Sequence, residues 1–217
     1  MRNFFVIVFF LVCSCHTNAQ WVRVPEDRSG QFDVSLIWKF QGGRNLSGRG
    51  GSKLDFSDNN NVGFVFGYNF TNLLNLQWEI SFLNPKYRAT RARTDGTTET
   101  VSNRANFNTS QFNFTWHWLE GDVTPFMMAG LGWSLVDSNI AKEGSNVCYW
   151  DPWYGYVCYA RTYKENDFSY NAGIGLRWDI SDRFFTRGSY GVQWVDFGNG
   201  IGTTDFQTGR LEIGVKF

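Results

Sequence analysis

DFQTGRLEIGVKF, residues 205–217, decides the fold. Alternate positions read Leu211, Ile213, Val215 and Phe217, and between them stand Arg210, Glu212, Gly214 and Lys216. Side chains change face at every residue of a β-strand, so this is a strand with one apolar and one charged face. Charges inside a sheet need water or ion partners on their side. Working back from this end, seven more stretches repeat the pattern: 31–41, 61–70, 74–83, 110–119, 125–135, 168–178 and 183–195. In the first, Phe32, Val34, Leu36, Trp38 and Phe40 oppose Asp33, Ser35 and Lys39, with Ile37 as the exception. In the third, Leu76, Trp78 and Ile80 oppose Gln77, Glu79 and Ser81; in the sixth, Ile174, Leu176 and Trp178 oppose Gly173, Gly175 and Arg177. The seventh is the least regular, with Thr186 and Gly188 in its apolar row and Arg187 on the other face.

The connections alternate long and short. Residues 42–60, 84–109, 136–167 and 196–205 are long and polar, whereas 71–73, 120–124 and 179–182 are turns. An even number of strands, each about 9 to 11 residues long, with loops long at one end and short at the other, describes a transmembrane barrel. The expected fold is therefore all-β, an eight-stranded antiparallel up-and-down transmembrane β-barrel over residues 31–217. Short turns belong on the periplasmic side, which puts both termini there. A soluble lipocalin-like barrel also alternates, but it turns its apolar face inward around a ligand. Here the non-apolar face mixes glycine with Lys39, Glu79, Arg177, Arg187, Arg210, Glu212 and Lys216, which suits a narrow lumen filled by paired charges. The apolar face carries too many Trp and Phe residues for one small interior. Trp38, Phe40, Trp116, Trp118, Trp178 and Trp194 recur near strand ends, where a membrane interface wants them.

Aromatic residues make up 18% of the 217, far above what disorder allows, and the formal net charge of zero gives no field for nucleic acid. Residues 1–19 read as an export signal: Arg2, a nine-residue apolar run over 4–12, and Ala19 at the cleavage position. A run of that length cannot span a bilayer as a helix, which needs about 20 residues. The rival reading is a lipoprotein signal with Cys15 as the lipidated residue. Residues 20–30 would then be a short periplasmic segment. With Cys13 and Cys15 removed, Cys148 and Cys158 remain, and a close pair in an exported chain is expected to form a disulfide. A loop of that size contributes about 2 to 3 kcal/mol in the chain-entropy view. No histidine or further cysteine stands nearby to make a zinc site.

Three stretches, FMMAGLGWSLVD (126–137), FSYNAGIGLRWDISD (168–182) and YGVQWVDFG (190–198), together with the closing IGVKF, resemble the small outer-membrane β-barrel superfamily. That group includes OmpA-type barrel domains, OmpX- and OmpW-type proteins and opacity-like surface antigens. The resemblance implies a bacterial outer-membrane location, with members ranging from anchors and adhesins to small pores. It also implies that Leu211, Ile213, Val215 and Phe217 form the signal read by the barrel-assembly machinery. No peptidoglycan-binding domain of the full-length OmpA type is expected after this barrel.

His117 shares the inner face of its strand with Asn113 and Thr115, but no serine stands at the neighbouring inward positions. Residues two apart on a strand are nearly 7 Å apart, too far for direct proton transfer. No enzyme, cofactor or metal site is expected. In the lumen, Glu79 and Glu212 are expected to pair with Lys39, Arg177, Arg187 or Arg210 and to block free diffusion. Lys86 and Arg88 follow the outward parity of the third strand and could meet lipopolysaccharide phosphates, or stand solvated in a loop. Residues 148–161, CYWDPWYGYVCYAR, crowd Tyr149, Trp150, Trp153, Tyr154 and Tyr156 around the cysteine pair. Tyr and Trp give large contact area at low entropic cost, so this third long loop is a candidate for binding an extracellular ligand. The plainer alternative is a hairpin extending the barrel wall. The overall expectation is a non-enzymatic, monomeric protein among outer-membrane lipids and lipopolysaccharide, acting structurally or through its surface loops. The alternative is a narrow pore or carrier for small solutes.

Overall fold

The computed structural model describes residues 27–47, 53–92, 97–153, 155–197 and 202–217. The export segment 1–19, with Cys15, and most of the segment 20–30 lie outside the described residues. Among the described residues there are twelve strands and no helix: β1 (Phe32–Gln41), β2 (Arg44–Ser47), β3 (Lys53–Phe56), β4 (Asn59–Asn69), β5 (Leu74–Leu83), β6 (Lys86–Ala92), β7 (Thr98–Arg104), β8 (Asn106–His117), β9 (Val123–Asp151), β10 (Gly155–Asp179), β11 (Phe184–Asp196) and β12 (Thr203–Lys216). Eight of them close an antiparallel barrel in the order β1-β4-β5-β8-β9-β10-β11-β12, with β12 returning to β1. The closing register sets Val34 beside Val215, Leu36 beside Ile213 and Trp38 beside Leu211. The apolar row of the terminal stretch thus joins the apolar row of the first strand.

Exposure follows the alternation with its sense reversed relative to a soluble core. Phe32, Leu36, Trp38, Phe64, Phe66, Trp78, Phe112, Phe114, Leu131 and Ile174 all stand on the outside, while Lys39, Glu79, Arg177, Arg187 and Glu212 are buried. On β10 the apolar belt runs from Phe168 to Trp178. That is about 33 Å of strand, or about 25 Å of height once tilted by about 40°, the height of a barrel's lipid-facing band. Ile37, the apolar exception on β1, points into the lumen, where Gly63 of β4 stands directly opposite and leaves it room. The lumen needs such gaps elsewhere. A Cβ on Gly214 would meet the ring of Phe185 and the side chain of Ser35.

The structure departs from the sequence reading in the long connections. Segments 42–60 and 84–109 are not plain loops: they contribute β2, β3, β6 and β7, which form a separate sheet in the order β2-β3-β6-β7. These strands were illegible because β2 and β3 have four residues each, and KYRATRA and TETVSNR are mostly polar. One face of this cap sheet carries Leu46, Leu54, Phe56, Tyr87 and Ala89, which pack at the long-loop end of the barrel. The segment 136–167 is likewise ordered. It continues β9 and β10 as one hairpin from Val123↔Trp178 out to Asp151↔Gly155, broken only by register shifts between Ala160 and Lys164.

Candidate functional site

The lumen is built by the inward parity of eight strands. Near the long-loop end, Lys39 of β1 donates to Glu79 of β5 at 2.9 Å, and Arg210 of β12 stands 3.1 Å from the other oxygen of Glu79. Asn113 donates to the same carboxylate and, through its own oxygen, receives Asn171. Near the turn end, Arg177 pairs with Asp33 at 2.9 Å and with Asp179 at 3.0 Å. Arg187 links Asp33 to Glu212, and Lys216 reaches Asp179 at 3.3 Å. The six lumen residues singled out in the sequence are all buried here, but Arg177 takes two aspartates rather than a glutamate. Asp33 and Asp179 are the further members of this network. Asp33 has the inward parity of β1, whereas Asp179, two residues beyond Arg177 on the same face, falls in a stretch whose sequence reads as a turn.

Both ends of the lumen are filled. At the turn end, Arg28 comes from outside any strand, is 2% exposed, and pairs with Asp179 at 3.4 Å. No sequence pattern pointed to it. The guanidinium groups of Arg177 and Arg187 lie 4.3 and 4.5 Å from the ring centre of Phe185, so an apolar side chain is accommodated by cation–π contact. At the other end, Phe56 of the cap packs against Phe107, Phe197 and Phe206, with ring centres 5.7 to 6.3 Å apart. Leu83, Val195 and Ala105 complete this cluster. In between, the cavity beside Met128, Asn171, Thr208 and Arg210 has about 10 Å³, about the least that holds one water.

His117 is 1% exposed at the turn end, beside Phe126, with its Nδ1 3.4 Å from the Leu73 carbonyl. Above the belt, burial together with Glu165 and Asp196 pushes the Asp167 carboxyl up to about 6.

The extended hairpin of β9 and β10 rises beyond the belt as an arm. Its foot is fixed by Asn139, a non-glycine residue with φ of 53°, whose amide group donates to the Arg104 carbonyl at 2.7 Å. The Tyr87 hydroxyl donates to the Ser138 carbonyl at 2.8 Å, and Lys164 pairs with Asp137 at 3.3 Å. Cys148 and Cys158 stand opposite in register and are joined by a disulfide near the tip. Trp150, Trp153 and Tyr156 are 68%, 90% and 73% exposed. Tyr154 and the side chain of Tyr149 lie outside the described residues. Lys86 and Arg88 do not continue the lipid-facing wall. The wall strand ends at Leu83, and Asn84-Pro85 starts a new strand, β6, that carries both residues into the cap. Leu211, Ile213 and Phe217 face the lipid side.

The family model described as "Outer membrane protein beta-barrel domain" matches residues 5–217. No curated protein sequence matches the chain. Among solved structures, the outer membrane protein OprG of Pseudomonas aeruginosa is similar with a TM-score of 0.59 at 10% identity, covering 90% of this chain and 99% of that one. Neisserial surface protein A gives a TM-score of 0.50 at 11% identity, covering 87% of this chain and 98% of that one. At such identities the likeness concerns the fold alone.

Proposed function

Because the chain belongs to the outer membrane protein β-barrel domain family and is thus a bacterial outer-membrane protein, we propose that it is a non-enzymatic surface-interaction protein working through its arm. The arm carries this reading. Two long strands rise from the barrel to a disulfide-clamped tip that holds Trp150, Trp153 and Tyr156 out to solvent. Exposed aromatics of this kind supply contact area with little side-chain entropy to lose. In this reading the turn end and both termini face the periplasm, the cap and arm face outward, and the barrel acts as a monomer. Leu211, Ile213, Val215 and Phe217 serve as the assembly signal during insertion.

The filled lumen speaks for an anchor over a pore or carrier, since ion pairs and an aromatic cluster occupy it from Arg28 to Phe56. The test compares cells displaying the wild type with cells displaying a Trp150→Ser/Trp153→Ser/Tyr156→Ser variant, captured on an array of immobilised proteins and glycans. Capture should fall about tenfold, the effect of losing a small cluster of hot-spot side chains, while heat-shifted gel mobility stays unchanged. Equal capture would sink the arm reading. A stable, large single-channel conductance from the pure protein would favour the pore.

A further inference from the structure

The outward face of the cap sheet, opposite the face that packs on the barrel, holds a groove of about 720 Å³. Strand register puts Lys86 of β6 directly opposite Arg104 of β7. One row further along, Arg88 stands between Ser102 of β7 and Asp55 of β3. Like charges directly opposite on neighbouring strands repel, and all three cations are exposed. Other basic side chains at this end find carboxylates, Arg44 with Asp205 and Lys164 with Asp137. Among the described residues, no carboxylate stands within ion-pair distance of Lys86, Arg88 or Arg104. The neighbouring groove residues Asn45, Ser57 and Ser102 are small hydrogen-bonding groups.

We propose that this groove binds a saccharide bearing two phosphate or sulfate groups. Directly opposite Cβ atoms are about 5 Å apart, so Lys86 and Arg104 can close on one oxyanion together. Arg88 is two residues along the strand, about 7 Å away, where its planar guanidinium takes the second in bidentate fashion. The Ser57, Ser102 and Asn45 side chains then meet sugar hydroxyls, and Asp55 repels a third anion. A volume of this size fits a ligand larger than a bare anion. Lys86 follows the last outward belt residue of β5, Phe82, by four positions, at most about 13 Å of chain. This height is within reach both of saccharides anchored in the same membrane and of free glycans. The proposal uses no part of the arm and stands or falls separately from it.

The experiment titrates the intact, detergent-extracted protein with three probes: inorganic phosphate, a deacylated bisphosphorylated glucosamine disaccharide, and a disulfated disaccharide. One or both disaccharides should bind at least about tenfold more tightly than inorganic phosphate. An Arg88→Gln/Arg104→Gln variant should lose about tenfold or more, as expected for losing charge-assisted hydrogen bonds. A Lys53→Gln variant, altered on the same sheet outside the groove, should bind as the wild type does. Gel mobility before and after heating checks that each variant keeps its barrel. Lipopolysaccharide retained through purification separates the sources. Loss of retention in the double variant assigns the site to the membrane's own saccharide, whereas unchanged retention with lost disaccharide binding assigns it to free glycans. Undiminished binding by the double variant, equal loss in Lys53→Gln, or phosphate binding as tight as the disaccharides would overturn the proposal.

Discussion

The lumen and the cap are two cores of opposite polarity in one chain. In the lumen, buried charge faces inward and Trp and Phe face out; at the cap, Phe56 and Tyr87 face inward and Lys86 and Arg88 face out. The change occurs within single strands. On β5 the inward row runs Glu79, Ser81, Leu83, and on β12 it runs Arg210, Thr208, Phe206. The same two-residue alternation serves both regions, and the surrounding solvent decides which face is greasy. Lipid around the belt removes the drive to bury apolar groups, so packing and ion pairing fill that lumen. Water around the cap restores the drive, and rings gather beneath the sheet.

The strongest way to break the lumen half of this contrast is Asp33→Asn. It keeps the volume but leaves Arg177 and Arg187 each short of a buried carboxylate. Breaking a buried pair from one side costs about 3 to 5 kcal/mol. The urea midpoint of the heat-mobility shift should fall accordingly, and an unchanged midpoint would mean that water already shares those charges. Phe56→Ala addresses the other half, removing the ring shared by four neighbours at a local cost of about 3 kcal/mol. Proteases should then cut the cap while the barrel's mobility is preserved; if both fail together, the two cores are one cooperative unit.

A subtler test concerns the border between them. Asp167, raised to about 6, binds a proton more readily in the folded chain than in the unfolded one. Its contribution is therefore complete below the ordinary carboxyl pKa of about 4 and is lost as pH rises through about 6. Amide protection at the foot of the arm, taken relative to the intrinsic exchange rate at each pH, should fall from pH 5 to pH 7. Asp167→Asn should flatten that dependence, and a dependence surviving the substitution would assign it to another group.

The barrel was legible because most wall strands repeat their alternation four or five times, enough for Phe32 to Phe40 or Leu211 to Phe217 to stand out against chance. The same reasoning failed at the cap, where four-residue strands offer Leu46 alone in β2 and only Leu54 and Phe56 in β3. Their apolar face exists only through contact with barrel residues far away in sequence. Parity could place Lys39 and Glu79 in the lumen, but not at one height. They sit on β1 and β5 with β4 between, and the stagger of the strands sets which rows meet. Arg28 carried no signal at all, since nothing periodic surrounds a single side chain that folds over the end of a barrel.

The arm has one mechanical consequence. Its two strands run without a chain break from the disulfide near the tip to the turn end of the barrel, where Trp178 pairs with Val123. A pull on the tip therefore travels down two covalent chains. It loads the β8–β9 and β10–β11 ladders lengthwise, so their hydrogen bonds resist in parallel instead of unzipping in turn. Whatever the tip holds is tethered through the full height of the wall.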